Sequence, residues 1–241
     1  MTLDMFGPRV APMPETIDLR CCGADTMLGT LDTGTVDLVI ADPPWGQYEQ
    51  EVGVAKPERT YPTLSDEDIG GHLRQGVRVL RPGGRLAMWT CWPLLVEVLA
   101  KGALPPWLDV PGLRWVSGGA WSKGTLSSVG VGYHWRGRSE PVLLGVKDGG
   151  AAGRAFSMLY NTHESEPEQH SRKPAPWQAS WIEAWVPPGG LVVDPYAGLG
   201  SVAEAVVLAG EGRRYVGAEI DPTRHAKASA FVRRAVVRGA P

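Results

Sequence analysis

Apolar and polar positions along this chain change period several times, and each change marks the edge of an element. Residues 16–22 read as a short strand ending in the turn Gly23-Ala24-Asp25. Val36-Asp37-Leu38-Val39-Ile40 is a β-branched run that stops at Asp42-Pro43-Pro44. Two consecutive prolines offer no N–H to a ladder, so the strand ends there and a loop begins. Ser65, followed by Asp66 and Glu67, opens a helix to about Leu80, with Ile69, Leu73, Val77 and Leu80 on its apolar face. Arg81-Pro82-Gly83-Gly84 reads as a sharp stop before a strand over residues 85–90. A helix is expected over 93–101, then strands over 113–122 and 141–146 around a Gly-rich loop. Residues 149–175 are polar and read as a long surface loop. Helix, strand, helix, strand and helix follow over 176–186, 191–193, 201–210, 214–218 and 222–238.

Strands alternating with helices predict an α/β fold with a doubly wound, mostly parallel sheet covered on both faces. The two strands around the Gly-rich loop add an antiparallel edge hairpin. All 241 residues form a single domain in this reading, with residues 1–15, rich in proline, as a flexible lead-in. The stretch 101–138 is the candidate substrate-recognition insert.

Composition narrows the class further. Hydrophobic content of 43% and charged content of 21% suit a globular domain with a core of its own. Cys21, Cys22 and Cys91 lack disulfide or C-x-x-C spacing, and no apolar run reaches the length of a membrane span, so a cytoplasmic protein is expected. The five histidines show no ligand spacing, so no metal is expected. A net charge of −2 gives no global field for nucleic acid, so any such contact must come from local basic residues or a partner.

Candidate chemistry sits at two strand ends. Leu191-Val192-Val193-Asp194-Pro195-Tyr196-Ala197-Gly198-Leu199-Gly200-Ser201 is a strand, a glycine turn and a helix start. Glycines there let a ligand approach the backbone at the carboxyl edge of the sheet. Glu219 closes the next strand, 25 residues after Asp194, where a carboxylate can accept from two ribose hydroxyls. Gly198-x-Gly200-x-x-Ala203 also fits the relaxed dinucleotide fingerprint, and a purely structural turn is the plain alternative. Asp194 before the turn suits the cationic end of a sulfonium ligand and suits a pyrophosphate poorly.

Asp42-Pro43-Pro44-Trp45 is the second strand end. The exocyclic nitrogen of adenine is a poor nucleophile because its lone pair is delocalised into the ring. A carboxylate and a backbone carbonyl that accept its two N–H bonds would draw it toward a tetrahedral shape. Asp42 can supply the first and Pro43 the second, and Trp45 would cover one face of the base. An ordinary turn with a core tryptophan is the alternative. Trp177, Trp181 and Trp185, four apart on a helix, read as a core stripe.

These residues resemble the adenine-amino methyltransferases that carry the Asp-Pro-Pro-Trp signature, a group holding the eukaryotic messenger-RNA adenosine methyltransferase and bacterial and phage relatives. The likeness extends through Tyr61-Pro62-Thr63-Leu64, Gly130-Val131-Gly132-Tyr133-x-x-Arg136 with Glu140, and Ser171-Arg172-Lys173-Pro174. It implies a Rossmann-like fold in permuted motif order and S-adenosyl-L-methionine as cofactor. It implies Asp42, Pro43, Pro44 and Trp45 as the catalytic loop, Lys173 on the donor's carboxylate, Asp25 beside the donor's adenine and Tyr61 over the target. The donor site is completed by Asp194, Pro195, Tyr196, Gly198, Gly200, Ser201 and Glu219. Tyr133, His134 and Arg136 are candidate substrate contacts. The form of the Asp194–Gly200 turn is closer to DNA enzymes than to the messenger-RNA enzyme, so DNA is favoured over RNA as the nucleic-acid partner. A homodimer or heterodimer is compatible with this reading. A catalytically silent member that binds nucleic acid and scaffolds an active partner is the alternative; Asp42 and Trp45, both intact, favour activity.

Overall fold

The computed structural model describes residues 11–45, 63–123, 139–149, 159–161 and 172–239. In chain order the elements are β1 (Ile17–Arg20), α1 (Ala24–Gly29), β2 (Val36–Ala41), α2 (Asp66–Val79), β3 (Leu80–Trp89), α3 (Trp92–Lys101), β4 (Leu113–Ser122) and β5 (Ser139–Lys147). They continue with β6 (Leu159–Asn161), α4 (Ala175–Trp185), β7 (Leu191–Asp194), α5 (Ser201–Ala209), β8 (Arg214–Ala218) and α6 (Pro222–Gly239).

Eight strands form one sheet in the order β1-β8-β7-β2-β3-β5-β4-β6. From β1 to β3 every pairing is parallel, and β5 runs antiparallel to both β3 and β4. The chain passes from β2 outward to β3 on one side and from β7 outward to β8 on the other. That reversal places the topological switch point between the carboxyl ends of β2 and β7, where ligands of such sheets bind.

Both faces of the sheet are covered, as expected for a parallel arrangement. On one face Trp177, Trp181 and Trp185 of α4 pack with Trp89 of β3, Val202 and Val206 of α5, and Val232 of α6. The tryptophan stripe is therefore core, with the Trp177 and Trp181 rings 4.7 Å apart edge to face. On the other face Met27 and Leu28 of α1, Ile69, Leu73 and Val77 of α2, and Leu94 of α3 form a second cluster. A capping box starts α2: Asp68 N–H donates to the Ser65 hydroxyl, and Ser65 N–H donates back to the Asp68 carboxylate. Buried Asp37 ties the sheet together, accepting from Arg81 Nε at 2.6 Å and from Leu191 N–H at 2.8 Å.

Three expectations need correction. Ala24 and Asp25 begin a helix instead of forming a turn; Ala24, Met27 and Leu28 are buried at helical spacing. Arg81-Pro82-Gly83-Gly84 does not stop a helix ahead of a separate strand, because β3 begins at Leu80 and runs through it with a register shift against β2. Gly84 serves the close approach there: a Cβ would lie 2.8 Å from the Arg81 carbonyl oxygen. The polar stretch 149–175 contains β6, which pairs in parallel with β4, so the β4–β5 hairpin is not the sheet's edge. Within the stretch 101–138, residues Leu113–Ser122 form β4, the strand expected there. Among the described residues no helix is long and apolar enough to cross a membrane.

Candidate active site

Asp42 follows directly on β2, and Asp194 ends β7, its neighbour in the sheet. The ends of these two strands bring together sequence segments about 150 residues apart, with Lys173 reaching them from the entry to α4.

Lys173 Nζ donates to Asp42 Oδ2 at 2.6 Å and lies 2.9 Å from Glu140 Oε2. Glu140 is also paired with Lys123, so two cations and two carboxylates alternate in one recess. The Lys173 ammonium sits over the Trp89 ring, 5.2 Å from its centroid, and Lys123 sits over Trp121 at the same distance. Burial would favour a neutral lysine, but Asp42 and Glu140 outweigh it and push the Lys173 pKa up. Burial also opposes ionisation of Glu140, yet the two lysines hold its pKa down to about 2. Asp42 goes the other way: burial raises it, Lys173 pulls it back only in part, and Glu140 adds to the rise. Lys173 and Glu140 thus remain charged, and Asp42 is the member of the array that takes a proton most readily.

The glycine turn is held from two directions. Glu219 Oε2 accepts from Gly198 N–H at 2.8 Å, and its Oε1 accepts from Asp221 N–H at 2.9 Å. Gly198 and Gly200 both have positive φ, and Gly200 is the N-cap of α5, followed by buried Ser201. Asp194 Oδ1 accepts from Tyr196 N–H at 3.0 Å, and Tyr215 O–H donates to Oδ2 at 3.2 Å. Burial outweighs both bonds and pushes Asp194 up to about 7. The Tyr196 hydroxyl lies 2.7 Å from His72 Nδ1, and His72 Nε2 lies 2.9 Å from Asp25 Oδ1. With its proton on Nε2, His72 donates to Asp25 and accepts from Tyr196, so exposed Asp25 is linked through α2 to the glycine turn.

The structure therefore brings Asp42 together with Lys173, Asp194 with Tyr196, Gly198 with Glu219, and Asp25 with Tyr196 through His72. Pro43 is buried beside Asp42, Pro44 is half-buried, and Pro195 lies in the turn between Asp194 and Tyr196. Trp45 closes the loop that begins at Asp42. It is 8% exposed and packs on Trp107, with ring centroids 6.0 Å apart, as part of the core beneath α2. Tyr61, Tyr133, His134 and Arg136 lie outside the described residues. Sequence reasoning gave no role to His72, Lys123 or Glu140; Glu140 alone carried a signal, through the motif around Arg136.

Comparison with known proteins fixes the family. Residues 122–230 match the model of the DNA methylase family. The type II methyltransferase M.HhaII of Haemophilus parahaemolyticus is 31% identical over 176 residues, a span of 70% of this chain and 72% of that protein. The chain belongs to the DNA methylase family. Its chemistry is methyl transfer from S-adenosyl-L-methionine to DNA, and DNA rather than RNA is the polymer.

Solved structures agree on the fold of this DNA methylase. The protein TTHA0409 of Thermus thermophilus, complexed with S-adenosyl-L-methionine, superposes with a TM-score of 0.62 at 20% identity, covering 91% of this chain and 94% of the other. The complex of M1.HpyAVI with the same cofactor superposes at 0.61, with 14% identity over 88% and 97%. The PvuII DNA methyltransferase, a cytosine-N4-specific enzyme, superposes at 0.64, with 12% identity over 95% of each chain.

Proposed function

We propose that this DNA methylase transfers its methyl group to the exocyclic N6 amine of adenine. The observation that carries the reading is Asp42, set at the end of β2 with one carboxylate oxygen held by Lys173 at 2.6 Å. The other oxygen and the Pro43 carbonyl are the two acceptors that an exocyclic amine requires. Adenine, in preference to cytosine, is supported by the likeness of the whole Asp-Pro-Pro-Trp segment to the adenine-amino enzymes. In the reaction the N6 lone pair attacks the methyl carbon and the carbon–sulfur bond breaks. S-adenosylhomocysteine leaves, and N6 loses a proton to Asp42 or water. Positioning and electrostatics carry the rate, without a covalent intermediate on the protein.

For the donor we assign Glu219 to the ribose hydroxyls, Asp25 to the adenine ring, Lys173 to the carboxylate, and the turn from Asp194 to Ser201 to the rest. Asp194 gains most from a cation, since burial otherwise keeps it near neutrality. Tyr61, Tyr133, His134 and Arg136 are assigned to the DNA side, where the target base leaves the stack. Buried Trp45 fits the role of a wall behind the base, with Trp107 behind it.

A duplex in which purine, lacking the amine, replaces each adenine tests the choice of base. Methyl incorporation should vanish with that duplex and persist when the cytosine amines are deleted instead; the reverse pattern refutes the assignment. Asp42→Ala should abolish transfer while the donor still binds.

A further inference from the structure

Glu140 and Lys123 have no part in the reaction as described, yet both belong to the ion array on Asp42. The array runs Lys123, Glu140, Lys173, Asp42, drawing on the end of β4, on β5, on the entry to α4 and on the loop after β2. Lys173 is only 11% exposed, while Glu140 and Asp42 are 25% and 33% exposed. An ammonium has three N–H donors. Asp42 Oδ2 and Glu140 Oε2 use two of them, and the Trp89 face confines the group further. With two directions fixed, the ammonium cannot swing away from Asp42 without breaking its bond to Glu140. Only the third N–H is left for a donor carboxylate. Lys123 balances Glu140, which would otherwise place a bare negative charge beside Asp42.

We propose that Glu140 is a positioning residue for methyl transfer: it holds the Lys173 ammonium on Oδ2 of Asp42, so that the Asp42 carboxylate stays ionised and keeps its other oxygen for the target amine. This rests on Asp42 being the acceptor of that amine. The charged and titratable groups that act on Asp42 among the described residues are Lys173, Glu140 and Lys123, together with Asp194 at the end of β7.

Glu140→Gln keeps the shape and removes the charge, and its two effects on Asp42 have opposite signs. Acting through space alone, the loss of a negative neighbour eases ionisation and lowers the pH of the acid limb of kcat. If Glu140 holds the ammonium in place, its loss frees Lys173, Asp42 loses its counter-charge, and the acid limb rises. We expect the acid limb to rise by about one pH unit, so that kcat falls by about tenfold at pH values below its midpoint and little above it. Asp42→Asn is assayed beside it. Near-normal turnover by Asp42→Asn would refute the acceptor role itself. An inactive Asp42→Asn, with the acid limb of Glu140→Gln unmoved or lowered, overturns the positioning role alone. Should Glu140→Gln lose its cooperative thermal melt, Glu140→Asp takes its place, with the charge kept and the reach shortened by one methylene. An intermediate rise is then expected, and an unmoved or lowered limb overturns the proposal.

Discussion

Replacing Asp194 by Asn should make the free protein more stable at neutral pH and less able to bind its donor. Asp194 is 2% exposed and accepts two hydrogen bonds, but burial dominates and raises its carboxyl from the ordinary 3.8 to about 7. The unfolded chain therefore ionises first. As pH rises through this window the unfolded state loses a proton that the folded state keeps, so stability falls until the folded carboxyl also ionises near 7. At 1.36 kcal/mol for each pH unit, the gap corresponds to roughly 4 kcal/mol. Asn keeps the shape and the acceptor for Tyr196 N–H, and it does not titrate. Urea unfolding of both proteins between about pH 4 and 8 isolates this contribution, because every other titrating group is common to the two. Stability of Asp194→Asn relative to the parent should climb by about 2–4 kcal/mol across the series and level off above about pH 7. A difference that stays flat with pH would refute the reasoning. The same buried charge suits a cationic donor, so donor binding below pH 7 should release a proton in the parent and none in the variant.

Glu219→Gln should weaken donor binding by about tenfold or more, since one of the two acceptor oxygens becomes an N–H donor and the bond from Gly198 or that from Asp221 is lost with it. Calorimetric titration checks this, and an unchanged Kd removes Glu219 from the donor site. Gly200→Ala should cost about 1–2 kcal/mol, because φ there is +78° and the new Cβ would lie 3.2 Å from Ala228 of α6. A thermal melt of Gly200→Ala equal to that of the parent would contradict the role given to this turn.

The strands were legible where side-chain alternation or β-branching runs unbroken. Residues 113–122 and 214–218 have the same bounds in the sequence reading and in the structure. Elements too short to show a period were not legible. The six residues of α1 hold barely more than one turn, and the three of β6 owe their conformation to β4 alongside them. Proline and glycine misled at Arg81–Gly84, where a bulged register lets the strand continue.

The site follows the same division. Asp42 and Lys173 could each be picked out by motif, but their bond spans 131 positions and depends on α4 starting beside the end of β2. Lys123 and His72 are single polar residues whose partners lie on other elements, and no spacing along the chain announces them; Glu140 stood out only by its place in the motif around Arg136. Trp45 was legible as the large aromatic of the Asp42–Trp45 loop. Its burial against Trp107 was not, because that packing requires the segment after α3 to fold back under α2.

The most direct test is to incubate the protein with labelled S-adenosyl-L-methionine and adenine- and cytosine-containing DNA, then resolve the nucleosides by mass spectrometry. Label in N6-methyladenine is the expected result, absent with Asp42→Ala. Label in N4-methylcytosine, or in no nucleoside at all, would contradict the central claim.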